Sequence, residues 1–138
     1  SMGFAIPAAV GAQLANPEVR PIVLVGDGAF QMTGIELSTV AKQNLNPIVI
    51  LLNNDGYRTE RTMLDGTFNN IPQWNYTKII DFLGKGKSFK VKTTDEFYKA
   101  LAKAEQNSEY TLIEVELNRF DGSNALKRMT ESFSKKIR

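Results

Sequence analysis

Two short apolar runs constrain this chain more than anything else in it. PIVLVG (residues 21–26) and PIVILLNN (residues 47–54) are rich in β-branched residues, carry no charge, open on proline and end on glycine or asparagine. Neither alternates with polar residues, so each reads as a strand buried on both faces. Between them, TGIELSTVAKQN has helical spacing, with Ile35, Val40 and Ala41, or Leu37 and Ala41, as candidate inner faces. A strand, a crossover helix and a second strand make a parallel pair, and such a pair needs helices on both faces.

The rest of the chain extends this pattern. FAIPAAVGAQLA is small and apolar at helical spacing, with Pro7 tolerated in the first turn. A loop-rich stretch, DGYRTERTMLDGTFNNIPQW, follows the second strand and leads to a short helix, NYTKIIDFLG. SFKVKT reads as a more exposed strand and YTLIEVEL as an alternating one. Between these two lies the helix TDEFYKALAKAEQN, with Thr94 as N-cap and Phe97, Leu101 and Ala104 in register. SNALKRMTESFSKKI closes the chain as an amphipathic helix, with Leu126, Met129, Phe133 and Ile137 on one side. The expected fold is α/β: one domain over residues 1–138, three layers (α/β/α), with a mainly parallel sheet.

Composition narrows the chemistry. The 138 residues include no cysteine and no histidine, which removes disulfides, thiolate nucleophiles, Ser-His-Asp triads and histidine-held zinc. Any metal must therefore be a hard cation held by oxygen. A net charge of +2 names no partner, and the basic runs KGKSFKVK and SKKIR lack the interleaved aromatics that bind nucleic acid. The start SMGFAIPAAVGAQLA has no basic region before its apolar run, and IVILL is too short to cross a bilayer. The expectation is a soluble, cytoplasmic protein without membrane or nucleic-acid partners.

In open α/β sheets, ligands sit at the carboxyl ends of the strands. Asp27 follows the first strand and Asn53-Asn54 ends the second, with 24 residues between the Gly-Asp-Gly and the Asn-Asn. If the strands are neighbours, both ends share one rim. Asp27 then offers a carboxylate, Asn54 a side-chain carbonyl oxygen and Gly56 a main-chain carbonyl, a donor set that suits Mg²⁺. Gly26 and Gly28 let the backbone approach a diphosphate, and Gly28 to Phe30 can aim amide N–H groups at it. Each element alone is a common turn sequence; their pairing around one helix carries the inference. A dinucleotide-binding domain is disfavoured, because no G-x-G-x-x-G follows the first strand.

The stretch VGDGAFQMTGIELSTVAKQNLNPIVILLNNDGYRTE resembles the GDG…NN signature of thiamine diphosphate-dependent enzymes. NNDGYRTE resembles their 2-oxo acid decarboxylase branch, which includes pyruvate, indolepyruvate and phenylpyruvate decarboxylases. SMGFAIPAAVGA and FNNIPQWNY resemble the flanking segments, so the likeness covers most of the chain and points to the carboxyl-terminal, diphosphate-binding domain. The resemblance implies thiamine diphosphate and Mg²⁺ as cofactors, with Asp27, Asn54 and the Gly56 carbonyl as metal ligands. Gly26, Gly28, Ala29 and Tyr57 fall with the cofactor, and Ala29 stands where relatives often carry a serine hydroxyl. Met2 matches the apolar residue that wedges beneath the cofactor. Glu60 matches the acid that faces the reacting carbon, where burial would raise its pKa toward neutrality. Without the resemblance, Glu60 reads as a surface helix residue paired with Arg58 or Arg61. Thr59 stands where relatives often have a bulky apolar residue. Glu36 reads as structural, bonded to the Asp27 loop. Phe68 and Trp74 could shape a pocket or serve as core or interface aromatics. The final helix resembles the segment that covers the active site.

The resemblance also says what this sequence lacks. Relatives carry a pyrimidine-binding domain with the glutamate that activates the aminopyrimidine, and in this branch a histidine pair. The expectation is half a site, inactive alone, in need of that domain or subunit and belonging to a homo-oligomer that acts on a small 2-oxo acid. Two other readings stay open: a carboligase domain like that of acetolactate synthase, which shares GDG-x-FQMT, and a non-catalytic binding or assembly module.

Overall fold

Both proline-led runs form strands, and they are neighbours. The computed structural model describes the backbone of residues 1–137 and the side chains of residues 1–130. Its elements are α1 (Ala5–Ala15), β1 (Ile22–Gly26), α2 (Asp27–Thr33), α3 (Leu37–Lys42), β2 (Ile48–Asn53), α4 (Arg58–Met63), α5 (Ile79–Leu83), β3 (Lys87–Val91), α6 (Thr94–Gln106), β4 (Thr111–Glu116) and α7 (Asn124–Ile137). The described strands form one parallel sheet in the order β1-β2-β4-β3. β2 lies in the middle, buried on both faces as expected. β1, however, is an edge strand open on one face, and its central place is taken by β4. That strand was read as alternating, yet it is buried on both faces over Thr111–Glu114 because β2 and β3 flank it.

The strands divide their side chains between two cores. Val23, Val25, Val49, Leu51 and Leu112 face α1, α2, α3 and α5, where Ile6, Phe30, Leu37, Val40 and Ile80 cover them. Ile48, Ile50, Val91 and Ile113 face α6, which contributes Ala100 and Ala104. This is the three-layer α/β arrangement that the sequence implied. On the α6 side the layer is thin: Ile22 and Leu24 of the edge strand β1 remain 65% and 64% exposed.

Four local expectations need correction. The crossover helix starts at Asp27, not Thr33, because Gly26 is extended and the chain turns directly into α2. A 3-10 turn over Gly34–Glu36 joins α2 to α3. It rotates Ile35 to 56% exposure, while Leu37 and Val40 are fully buried. The stretch 55–74, expected to be loop, contains α4. Thr93, not Thr94, caps α6: its hydroxyl accepts the Glu96 N–H at 3.2 Å while Glu96 Oε2 accepts the Thr93 N–H at 3.1 Å. That reciprocal box needs a glutamate three residues after the cap, and only Thr93 has one. α7 lies against α4. The side chains of Phe133 and Ile137, expected on its apolar face, lie outside the described residues.

Thr93→Ala is expected to lower unfolding free energy by about 1 kcal/mol, as for other N-cap losses. Thr94→Ala should stay within about 0.5 kcal/mol. Urea denaturation of both variants checks the assignment.

Candidate functional site

Register places the first two strand ends side by side. Gly26 pairs with Leu52, so Asp27 and Asn53 leave the sheet on the same rim. Asp27 opens α2 and is 1% exposed. Its Oδ1 accepts the Gly28 N–H and its Oδ2 the Gly56 N–H, each at 2.9 Å. Burial pushes the Asp27 carboxyl above its ordinary value, and the N–H groups of Gly56 and Gly28 pull the other way.

The two asparagines have different duties. Asn53 points inward, donating to Glu114 Oε1 at 2.8 Å, and Lys90 Nζ lies 3.0 Å from the same oxygen. Asn54 faces Asp27. One end of its amide lies 3.2 Å from Asp27 Oδ1 and 3.0 Å from the Gly56 carbonyl oxygen. Assigned as nitrogen, that end donates to both; assigned as oxygen, it makes three acceptors converge with no donor among them.

The backbone beyond Asn54 turns through two positive φ angles, 60° at Asp55 and 123° at Gly56. Only glycine fits the second position, since a Cβ there would lie 2.2 Å from the Asn69 carbonyl oxygen. The next residue, Tyr57, lays its ring on Gly28, where an added Cβ would come within 2.4 Å. The glycine of the first rim thus accommodates the aromatic of the second.

An open cleft of about 200 Å³ results, lined by Met2, Gly26, Asp27, Gly28, Ala29, Asn54, Gly56, Tyr57, Arg58, Thr59 and Glu60. Every residue expected from the sequence to bind cofactor, hold metal or act as the acid lies on it. Met2 arrives from the start of the chain, anchored where the Thr33 hydroxyl donates to the Gly3 carbonyl at 2.8 Å. Glu60 projects from α4, partly buried, and makes no ion pair among the described residues. Its alternative partners are engaged elsewhere. Arg58 donates to the carbonyls of Phe120 and Asp121 at 2.8 and 2.7 Å, and Arg61 bonds Asp55, Asp65, Asn69 and Asn70.

One other expectation fails. Glu36 bonds the Thr39 hydroxyl at 3.2 Å rather than the Asp27 loop, because the 3-10 turn carries it past that loop. Of the two aromatics, Trp74 does shape a hollow, an apolar one apart from the cleft with Phe30 and Phe82, while Phe68 is 63% exposed and so is not a core residue. The sequence reading also missed what Arg58 and Arg61 do. Its one available signal was a pair of arginines in a segment otherwise read as loop.

The family described as thiamine pyrophosphate enzyme, C-terminal TPP binding domain, matches residues 1–115. The chain belongs to that family. It is 40% identical over 126 residues to an alpha-keto-acid decarboxylase of Mycolicibacterium paratuberculosis, spanning 88% of this chain and 22% of the relative. It is 39% identical over 130 residues to a probable pyruvate decarboxylase of Schizosaccharomyces pombe, spanning 91% of this chain and 23% of the relative. A solved structure, the thiamine diphosphate-dependent 4-hydroxybenzoylformate decarboxylase of Rhodococcus jostii RHA1, superposes with a TM-score of 0.78 at 32% identity. That match covers 88% of this chain and 24% of the other. The chain thus spans about a quarter of the length of these relatives. No helix among the described residues is long and apolar enough to cross a membrane.

A titration follows from the burial of Asp27. Because its folded-state pKa is raised, the carboxyl's contribution to stability is complete below the unfolded value, 3.8, and is lost as pH rises through the folded value. The stability of wild type relative to Asp27→Asn should therefore fall across that window in denaturant titrations. A carboxyl ¹³C midpoint for Asp27 at or below 3.8 would contradict this.

Proposed function

We propose that this domain holds the diphosphate of thiamine diphosphate through Mg²⁺, as one half of the active site of a non-oxidative 2-oxo acid decarboxylase. The observation that carries the reading is the convergence of Asp27 Oδ1, the Asn54 amide and the Gly56 carbonyl, with separations of 3.0 and 3.2 Å. Adjacent oxygens of an octahedral Mg²⁺ shell, each about 2.1 Å from the metal, lie about 3 Å apart. The spacing therefore fits a Mg²⁺ held by Asp27, Asn54 and the Gly56 carbonyl, with the amide oxygen turned inward. Among the described residues no three His, Cys, Asp or Glu side chains cluster, so this set of one carboxylate and two neutral oxygens leaves charge for a diphosphate to balance.

The remaining cleft residues divide the work. Gly26 and Gly28 keep side chains out of the approach to the diphosphate, and the first-turn amides of α2, Ala29 among them, face negative charge favourably. Tyr57 holds the second rim against the first. Met2 supplies an apolar contact at the cleft's edge for the body of the cofactor. When bound, thiamine diphosphate supplies the electron sink that lets a 2-oxo acid lose CO₂ and leave as an aldehyde. Glu60, half-buried and without an ion-pair partner among the described residues, holds and transfers a proton at its carboxyl during that conversion.

The chain spans about a quarter of its relatives, and the cleft is open on one side. The reading therefore assigns the remaining wall, including groups that act on the aminopyrimidine, to a pyrimidine-binding domain or subunit, with a homo-oligomer as the working assembly. By itself this chain should show no turnover of 2-oxo acids.

Calorimetric titration with thiamine diphosphate plus Mg²⁺ tests the cofactor assignment. Saturable binding that needs Mg²⁺ and disappears in Asp27→Ala is expected. In the complete enzyme, Glu60→Gln should lower kcat by about 10²- to 10⁴-fold while cofactor binding persists. Unchanged turnover would remove Glu60 from the chemistry.

A further inference from the structure

Arg61 is the least ordinary side chain in the molecule. Its side chain is 4% exposed, yet it carries a full charge in a loop-rich corner. One nitrogen, Nη2, donates to the Asp55 carbonyl at 3.0 Å, the Asn69 carbonyl at 3.1 Å and Asn70 Oδ1 at 2.7 Å. The other, Nη1, pairs with Asp65 at 3.0 Å. The Asn69 carbonyl also accepts the Tyr57 N–H at 3.0 Å. The guanidinium therefore clamps residue 55 to residues 65, 69 and 70, immediately around the two positive-φ residues.

This clamp touches the cleft from behind. A Cβ on Gly56 would lie 2.8 Å from Nη2, so the guanidinium packs directly on the residue whose N–H reaches Asp27 and whose carbonyl faces Asn54. The peptides on either side of the Gly56 Cα are thereby both restrained. Asp27 takes the Gly56 N–H, while the Asn69 carbonyl, itself held by Arg61, takes the Tyr57 N–H. Release of the clamp would let the glycine, free to change φ, rotate its carbonyl out of the cleft.

We propose that Arg61 is a positioning residue: it fixes the turn over residues 55–57 so that the Gly56 carbonyl aims at Asp27 and Asn54, and through the same contacts it orients α4 and Glu60. The proposal rests on the cation site described above for its consequence, but not for its geometry. Lysine cannot replace it, because a single ammonium cannot span acceptors gathered by two guanidinium nitrogens.

The test uses this chain in four forms: wild type, Arg61→Lys, Asn70→Ala and Ile113→Ala. Asn70→Ala removes the shortest Arg61 contact at an exposed position, so it reports even if Arg61→Lys does not fold. Ile113→Ala destabilises the α6 core without touching the cleft. Amide exchange by NMR should rise at Gly56 and Tyr57, relative to β2 amides, about tenfold in Arg61→Lys and about threefold in Asn70→Ala. It should not rise selectively in Ile113→Ala. The Mg²⁺ dissociation constant, measured with thiamine diphosphate present, should increase about tenfold in Arg61→Lys and stay within about twofold in Ile113→Ala. Equal exchange in all forms, or equal loosening by Ile113→Ala, would overturn the clamp. If wild type binds no cofactor, the functional reading fails, and the exchange data still decide whether Arg61 sets the turn.

Discussion

One carboxylate joins the two halves of the rim. Asp27 accepts an N–H from its own turn and another from Gly56, 29 residues later, at equal distances of 2.9 Å. Parallel pairing brings the strand ends together, but it does not fix the loops beyond them. The Asp27 bonds do that. They also place an anion where solvent cannot reach it, an arrangement that raises its pKa and leaves the site short of positive charge. Among the described residues no lysine or arginine is paired with Asp27. This is the physical ground for the cation proposed at this rim, beside the Asn54 amide and the Gly56 carbonyl.

A second network keeps the rim from drifting. Asn53 reaches β4 through Glu114, and Glu114 meets Lys90 on β3, so three strand ends are tied by side chains as well as by the ladder. Glu114 is 1% exposed, and its charge is tolerated because an amide and an ammonium both address the same oxygen. Asn53 and Asn54 thus separate two tasks within one dipeptide: the first holds the sheet and the second faces the cleft.

What the sequence disclosed follows from what is periodic. The strands and the helical crossover were legible, because apolar runs bounded by turn residues and joined by a helix make a parallel pair. The strand order was not, and the non-alternating run of β1 lies at the edge. Asp27, Asn54 and Gly56 were legible as a constellation at two strand ends, Met2 and Glu60 only through the family resemblance, and all of them line one cleft. Illegible were the features decided by contacts distant in sequence. Nothing local in RTERTM distinguishes a helix from a loop; α4 exists where α7 lies against it and Arg61 clamps its far side. Ile35 reads as an inner-face residue until the 3-10 turn rotates it outward. Gly-Asp-Gly reads as a turn because its helix-starting role depends on a carboxylate bonded across the rim. Trp74 does shape a hollow, but residue type alone does not say that this hollow lies apart from the cleft.

The charges of α4 leave the helix toward different surroundings. Arg58, Glu60 and Arg61 lie within four positions, and at about 100° per residue they leave the helix in different directions. Arg58 points to the carbonyls of Phe120 and Asp121, fixing the approach to α7. Arg61 points to the turn behind Gly56. Both cations therefore bond main-chain and side-chain oxygens through their guanidinium nitrogens, although the buried Arg61 Nε has no partner, and neither pairs with Glu60 among the described residues. Here the neighbouring cations are already engaged, and their engagement is what orients α4. The same helix thereby brings Glu60 to the cleft with no ion pair among the described residues.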